Sequence, residues 1–149
     1  MAGGFVTHYP IFLDLRGRPV LVVGAGTVAL RKARGLVEAG AVVTVVAPMW
    51  LPEFDGLPVR RVERRFRPAD LDGAALVFAA TNDRAVNRRV GAGARRRGIF
   101  ANIADAAAEC DFIVPARLER DGTQIAVSTG GRSPRLAAEL RRKLESLLS

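Results

Sequence analysis

Apolar residues along this chain fall into short unbroken runs, separated by stretches with the period of a helix. Pro19 to Gly24 (PVLVVG) is a β-branched run closed by glycine, which predicts a strand buried on both faces. From Thr27 to Ala39 the period becomes helical, with Val28, Ala33, Leu36 and Val37 expected inward. Arg31, Lys32, Arg34 and Glu38 fall on the other side, and Gly40 stands where a helix end favours glycine. Ala41 to Ala47 (AVVTVVA), Ala74 to Ala80 (AALVFAA) and Ile99 to Ile103 read as further strands. Pro52 to Pro58 reads as a turn-rich connection and Val59 to Phe66 as a more exposed, arginine-rich strand. Asn82 to Arg97 reads as a second helix with Val86 and Val90 inward. Its Arg95, Arg96 and Arg97 lie at the C-terminal end, where cations suit the helix dipole.

Strands alternating with helices predict an α/β fold, a Rossmann-like doubly wound parallel sheet. After it, Phe112 to Leu118 and Gln124 to Thr129 flank Asp121-Gly122, a strong hairpin signal. Ser133-Pro134 then supplies an N-cap and a first-turn proline. The last helix carries Leu136, Leu140, Leu144, Leu147 and Leu148 on one stripe and reaches Ser149 with that stripe still apolar, so a dimer contact or further sequence is expected to cover it. The expected organisation is a dinucleotide-binding domain over residues 1–111 and a dimerisation hairpin and helix over 112–149.

Composition narrows the function classes. Hydrophobic residues at 49% and charged residues at 26% of 149 describe a globular chain with one domain-sized core. No run approaches the length of a membrane span, and no secretory signal pattern opens the chain, so a cytoplasmic protein without a membrane partner is expected. Cys110 is the single cysteine, which fits a reducing compartment. The net charge is +8, and all but two of the 23 basic residues are arginine. Arginine-rich coding explains the choice of arginine over lysine but not the sign, which points to an anionic partner. Scattered arginines, 6% aromatics and no recognition helix argue against nucleic acid.

Gly24-Ala25-Gly26-Thr27-Val28-Ala29 links the first strand to the first helix and is followed by a second buried strand, the context that makes a glycine-rich turn a dinucleotide site. Gly24 permits the tight turn, Gly26 lets backbone approach a pyrophosphate, and Ala29 stands in the position of the third glycine. The amides of Thr27 and Val28 at the helix start would face the phosphates. No Asp or Glu ends the second strand, where Val45, Val46, Ala47, Pro48 and Met49 stand instead. Ribose contacts are therefore expected from the backbone of Pro48 and Met49. No arginine stands there either, which favours NAD over NADP.

Ligands of an open parallel sheet lie beyond the carboxyl ends of its strands. Thr81 and Asn82 offer short polar groups there, whereas Asp83 reads better as the cap of the next helix. Asn102 and Ile103 end the last parallel strand just before Asp105. Asp105, beside Ala104 and Ala106, reads equally as an acid–base group and as a loop-capping residue. His8 stands apart, and nothing in the sequence suggests a catalytic Ser/His/Asp set or a metal cage.

Several segments taken together resemble the precorrin-2 dehydrogenase module of siroheme synthases and related stand-alone enzymes. They are Tyr9 to Arg16 (YPIFLDLR), the glycine turn with Ala29 to Ala33 (ALRKA), Ala79 to Asp83 (AATND), Phe100 to Asp105 (FANIAD), Phe112 to Ala116 (FIVPA) and Val127 to Pro134 (VSTGGRSP). The resemblance implies oxidation of precorrin-2 to sirohydrochlorin with NAD+ as hydride acceptor, in siroheme biosynthesis, and in some members insertion of ferrous iron. It implies that Asp105 is the key acidic residue and that the segment after it forms a homodimer. It also places Ser128, Gly130, Gly131 and Arg132 near the tetrapyrrole, with Arg132 and Arg135 the first candidates for its carboxylates. The acetate and propionate arms of precorrin-2 would suit the basic charge. The family's further helical segment and the methyltransferase domain of its fused members have no counterpart in these residues, which leaves iron insertion open. The alternative is a non-catalytic NAD-sensing regulatory module.

Overall fold

The computed structural model describes residues 6–148; residues 1–5 and 149 of the expected domains lie outside the described residues. The chain divides into two compact units, residues 12–112 and residues 113–149 together with the first eleven.

In the larger unit β1 (Pro19–Val23), β2 (Val42–Val46), β3 (Arg60–Val62), β4 (Leu76–Ala79) and β5 (Phe100–Ile103) form one sheet in the order β3-β2-β1-β4-β5. Every pairing is parallel. The order reverses between β1 and β4, which makes the crevice above their carboxyl ends the ligand position of a doubly wound sheet.

Alternation along the strands sends side chains to two cores. Val20, Val22, Val43 and Val45 pack with Ala29, Ala33 and Leu36 of α1 (Thr27–Glu38) on one face. Leu21, Val23, Val77 and Ala79 pack with Val90 and Ala94 of α2 (Arg84–Arg96) on the other. Leu71 is fully buried in this second core, its Cδ1 tight against Gly93. Leu71→Ala is expected to cost about 2–5 kcal/mol in a urea titration, because it empties a fully buried position.

Three sequence expectations change in detail. Val28, expected inward, is 39% exposed, and Ala29 and Leu30 are buried instead. The buried stripe of α1 runs through Ala29, Leu30, Ala33 and Leu36, and Val28 falls beside it. The strand expected over Val59 to Phe66 shortens to the three residues of β3. The Arg64 amide turns back to the Val62 carbonyl at 3.0 Å, ending the ladder, and Phe66 drops into the α2-side core. The run from Phe112 does not start a strand either. The Phe112 ring sits edge-on to Phe78 at 5.4 Å, and Asp111 pairs with Ala101, its amide bonding the Ala101 carbonyl and its carboxylate accepting from the Ala101 amide.

In the smaller unit β6 (Ala116–Arg120) and β7 (Thr123–Val127) form an antiparallel hairpin. Its turn has positive φ at Asp121 (50°) and Gly122 (77°), the pair that an Asp-Gly hairpin requires. Helix α3 (Pro134–Leu147) packs on both strands, and the Ser133 hydroxyl caps it by accepting from the Leu136 amide at 3.1 Å. Leu136, Leu140 and Leu147 remain exposed on α3.

Candidate active site

The glycine turn is built by strand ends and left open toward the ligand side. Gly24 donates its amide to Val46 and has φ +116°, and a Cβ there would lie 2.4 Å from the Ala80 carbonyl oxygen. Only glycine fits between β1 and β4. Gly26 is different, because its φ is −91° and a Cβ would meet nothing within 4 Å. Gly26 is the N-cap of α1, no side chain caps the helix, and Gly26, Thr27 and Val28 are exposed. Amides of a first turn have no partner inside the helix. Open space in front of uncapped amides suits the pyrophosphate of a dinucleotide, by hydrogen bonding and by helix dipole.

At the end of β2, Ala47 is buried where an acidic residue is usual, and its carbonyl accepts the Trp50 indole N–H at 2.8 Å. The loop is tied to the glycine turn by the Leu51 amide on the Ala25 carbonyl, at 3.0 Å. Pro48 and Met49 are left exposed, Met49 by 82%. Arg61 of β3, which the sequence did not bring to this region, lies 4.3 Å above the Trp50 ring. Its guanidinium is held by Asp55 at 2.7 Å and Glu63 at 3.3 Å.

Beyond β4 the backbone turns on a buried asparagine. Asn87 is fully buried, its Oδ1 accepting from the Thr81 amide (3.1 Å) and hydroxyl (2.6 Å), its Nδ2 donating to the Thr81 carbonyl (3.0 Å). Thr81 thus spends its hydroxyl on the fold, while Asn82 is exposed at the edge. Asp83 caps α2 by accepting from the amides of Ala85 and Val86, as its position before the helix suggested. Asn87→Ala would leave Thr81 groups unpaired and is expected to cost about 1–3 kcal/mol in chemical denaturation.

Beyond β5, Asn102 is buried and its Nδ2 donates to the Phe112 carbonyl at 3.0 Å, holding the loop that carries Asp105. The Ile103 amide donates to Cys110 Sγ at 3.1 Å, closing the same loop. Asp105 is exposed, but it is not alone among alanines. Arg84, the first residue of α2, donates to its Oδ1 at 3.0 Å and to Glu109 as well. The Glu109 hydrogen bond, then the charges of Glu109 and Asp105, raise the Arg84 pKa above its usual value, so the guanidinium is a fixed cation beside Asp105. A cation in the first turn of a helix opposes the dipole, and that placement was the sequence signal for its partners.

Ser128, Gly130, Gly131 and Arg132 lie in the smaller unit, in the loop between β7 and α3. The loop is bound up in itself: the Gly130 amide donates to Ser128 Oγ at 3.0 Å, and the Ser133 amide to Thr129 Oγ1 at 3.0 Å. Gly130 and Gly131 both have positive φ.

The comparisons with known proteins divide the chain similarly. An NAD(P)-binding family profile matches residues 11–116, and the profile of the central region of the sirohaem biosynthesis protein matches residues 120–147. The chain is 49% identical over 146 residues to the siroheme synthase of Citrobacter koseri, covering 95% of itself and 32% of that protein. It is 44% identical over 146 residues to the siroheme synthase of Nitrosomonas eutropha, covering 31% of it. The chain thus spans about a third of the length of the curated relatives it matches. A solved structure named SirC, precorrin-2 dehydrogenase, aligns with a TM-score of 0.81 and 33% identity over 95% of this chain and 72% of that one. The chain belongs to the precorrin-2 dehydrogenase family. The glycine turn, the β2 end, Thr81–Asn82 and Asn102–Asp105 all fall inside the NAD(P)-binding match of this family member.

Proposed function

We propose that this chain oxidises precorrin-2 to sirohydrochlorin, with NAD+ as hydride acceptor and Asp105 as the group that takes the accompanying proton. The observation that carries the reading is the open Gly26 cradle on the same carboxyl edge as Asp105, in a chain of this family. The cofactor would be held by the turn Gly24–Val28 and by the Pro48–Met49 backbone, with Asn82, Ile103 and the Thr81 and Asn102 turns shaping the remaining edge. Bound NAD+ supplies the two-electron acceptor. Asp105 is exposed at the edge and its carboxyl is held by Arg84, which places a proton-accepting group in a position fixed by the fold. The Ser128–Arg132 loop is assigned to the substrate's carboxylates, and the exposed leucines of α3 to a second copy of the chain in a homodimer.

NAD is favoured over NADP because the guanidinium beside the β2 loop, Arg61, is already committed to Asp55, Glu63 and the Trp50 face. A 2′-phosphate would have to displace Asp55. The expected outcome is a kcat/KM for NAD+ at least about tenfold above that for NADP+, which corresponds to about 1.4 kcal/mol.

The reading is tested by mixing the purified chain anaerobically with precorrin-2 and NAD+. NADH and sirohydrochlorin should appear in equal amounts. NAD+ binding with no NADH formation would overturn it in favour of a regulatory module. A parallel reaction with ferrous iron, read by the siroheme spectrum, decides whether iron is inserted.

A further inference from the structure

Lys32 stands out against the composition. The chain uses arginine for all but two of its cations, and the other lysine, Lys143, pairs with Glu139 on the surface of α3. Lys32 lies in the second turn of α1, and its Nζ sits 5.4 Å from the centroid of the Phe78 ring. No carboxylate pairs with it among the described residues. It is half-buried, and desolvation first, then the charge of Arg31, lowers its pKa, with the nearby Cys110 acting the other way. An ammonium loses more on desolvation than an aromatic face returns, so an unpaired one inside a site calls for an anion.

Its surroundings place that anion near the ligand edge. Phe78 is in register with Val22 and Asn102, each one residue before the carboxyl end of its strand. On this face Phe112 packs edge-on to Phe78 and Asn102 fixes the Phe112 carbonyl. Phe100, two residues earlier on the same side of β5, is 60% exposed, so this face is uncovered toward the start of the edge strand. The phosphates of a dinucleotide are already served by the amides at the start of α1, ~7.5 Å back along the helix from Lys32 at 1.5 Å per residue. Lys32 is displaced from them toward β4 and β5.

We propose that Lys32 is the counter-ion for a carboxylate arm of the tetrapyrrole, a substrate-binding residue on the face of the sheet that carries α1. The assignment rests on the functional reading above and adds a residue to it. Its test uses the full chain with Lys32→Met, which keeps the stem over Phe78, and Lys32→Arg, which keeps the charge. Lys32→Met is expected to raise the KM for precorrin-2 by about ten- to a hundredfold, the loss of one charge-assisted hydrogen bond, with kcat and the Kd for NAD+ little changed. Lys32→Arg should recover most of the affinity. Equilibrium binding of sirohydrochlorin, followed by its absorbance, should weaken to the same extent in Lys32→Met and reports on Lys32 even where the wild-type chain forms no NADH. Unchanged tetrapyrrole binding with a lowered Tm would overturn the proposal and leave Lys32 as packing on Phe78. A weakened Kd for NAD+ with unchanged tetrapyrrole binding would overturn it in favour of a phosphate contact.

Discussion

Gly26→Val should lose NAD+ binding while its melting temperature stays close to that of the wild-type chain. Gly26 has an ordinary negative φ, and the space its Cβ would enter is empty to 4 Å, so the fold offers no reason for glycine there. The cost to the helix is limited to a poorer N-cap, at most about 1 kcal/mol. The cost to a dinucleotide is larger, because the branched side chain would stand between the first-turn amides and the pyrophosphate. Losing two hydrogen bonds to a charged group at about 1.5–3 kcal/mol each weakens Kd by at least roughly a hundredfold. Gly24→Ala should behave in the opposite way. Its φ of +116° and the 2.4 Å approach to the Ala80 carbonyl make it a folding defect, visible as a lowered Tm with or without cofactor. Calorimetric titration with NAD+ beside thermal melts separates the two glycines. Equal loss of Tm in both variants would count against a ligand role for Gly26.

Asp105→Asn is the second large effect. Removing a positioned proton acceptor should lower kcat by roughly 10²–10⁴-fold, while the Kd for NAD+ stays within about twofold. The fold should hardly notice. The Arg84–Asp105 contact is a partly exposed ion pair, worth at most about 1 kcal/mol, and Arg84 keeps Glu109 when Asp105 is neutral. Stopped-flow detection of NADH reads the rate, and a denaturation curve of the same sample confirms that the protein is intact.

Much of this site was legible in the sequence because its signals are local. The β-branched runs gave the buried strands, the glycine turn sat between strand and helix, Asp121-Gly122 made the hairpin, and Asp83 and Ser133 both cap the helices they precede. What was missed depends on contacts made across the chain. Arg84 meets carboxylates 21 and 25 residues away, Asn87 is buried only because the β4 turn folds onto it, and Arg61 reaches Trp50 from the neighbouring strand. Helical period placed Val28 inward, but apolar spacing alone left the centre of the stripe undecided, and it runs through Ala29, Leu30, Ala33 and Leu36. The length of β3 was overestimated because an apolar residue, Phe66, serves the core without belonging to the ladder.

The central claim is that this edge of the sheet moves a hydride from precorrin-2 to NAD+ with Asp105 taking part. The most direct measurement is an anaerobic single-turnover reaction of precorrin-2 and NAD+ with the wild-type chain and with Asp105→Asn, following NADH and sirohydrochlorin together. Equal amounts of the two products from the wild-type chain, and a rate lower by at least roughly a hundredfold from Asp105→Asn, are the predicted result. NADH formation by Asp105→Asn at the wild-type rate, or none by the wild-type chain, would contradict it.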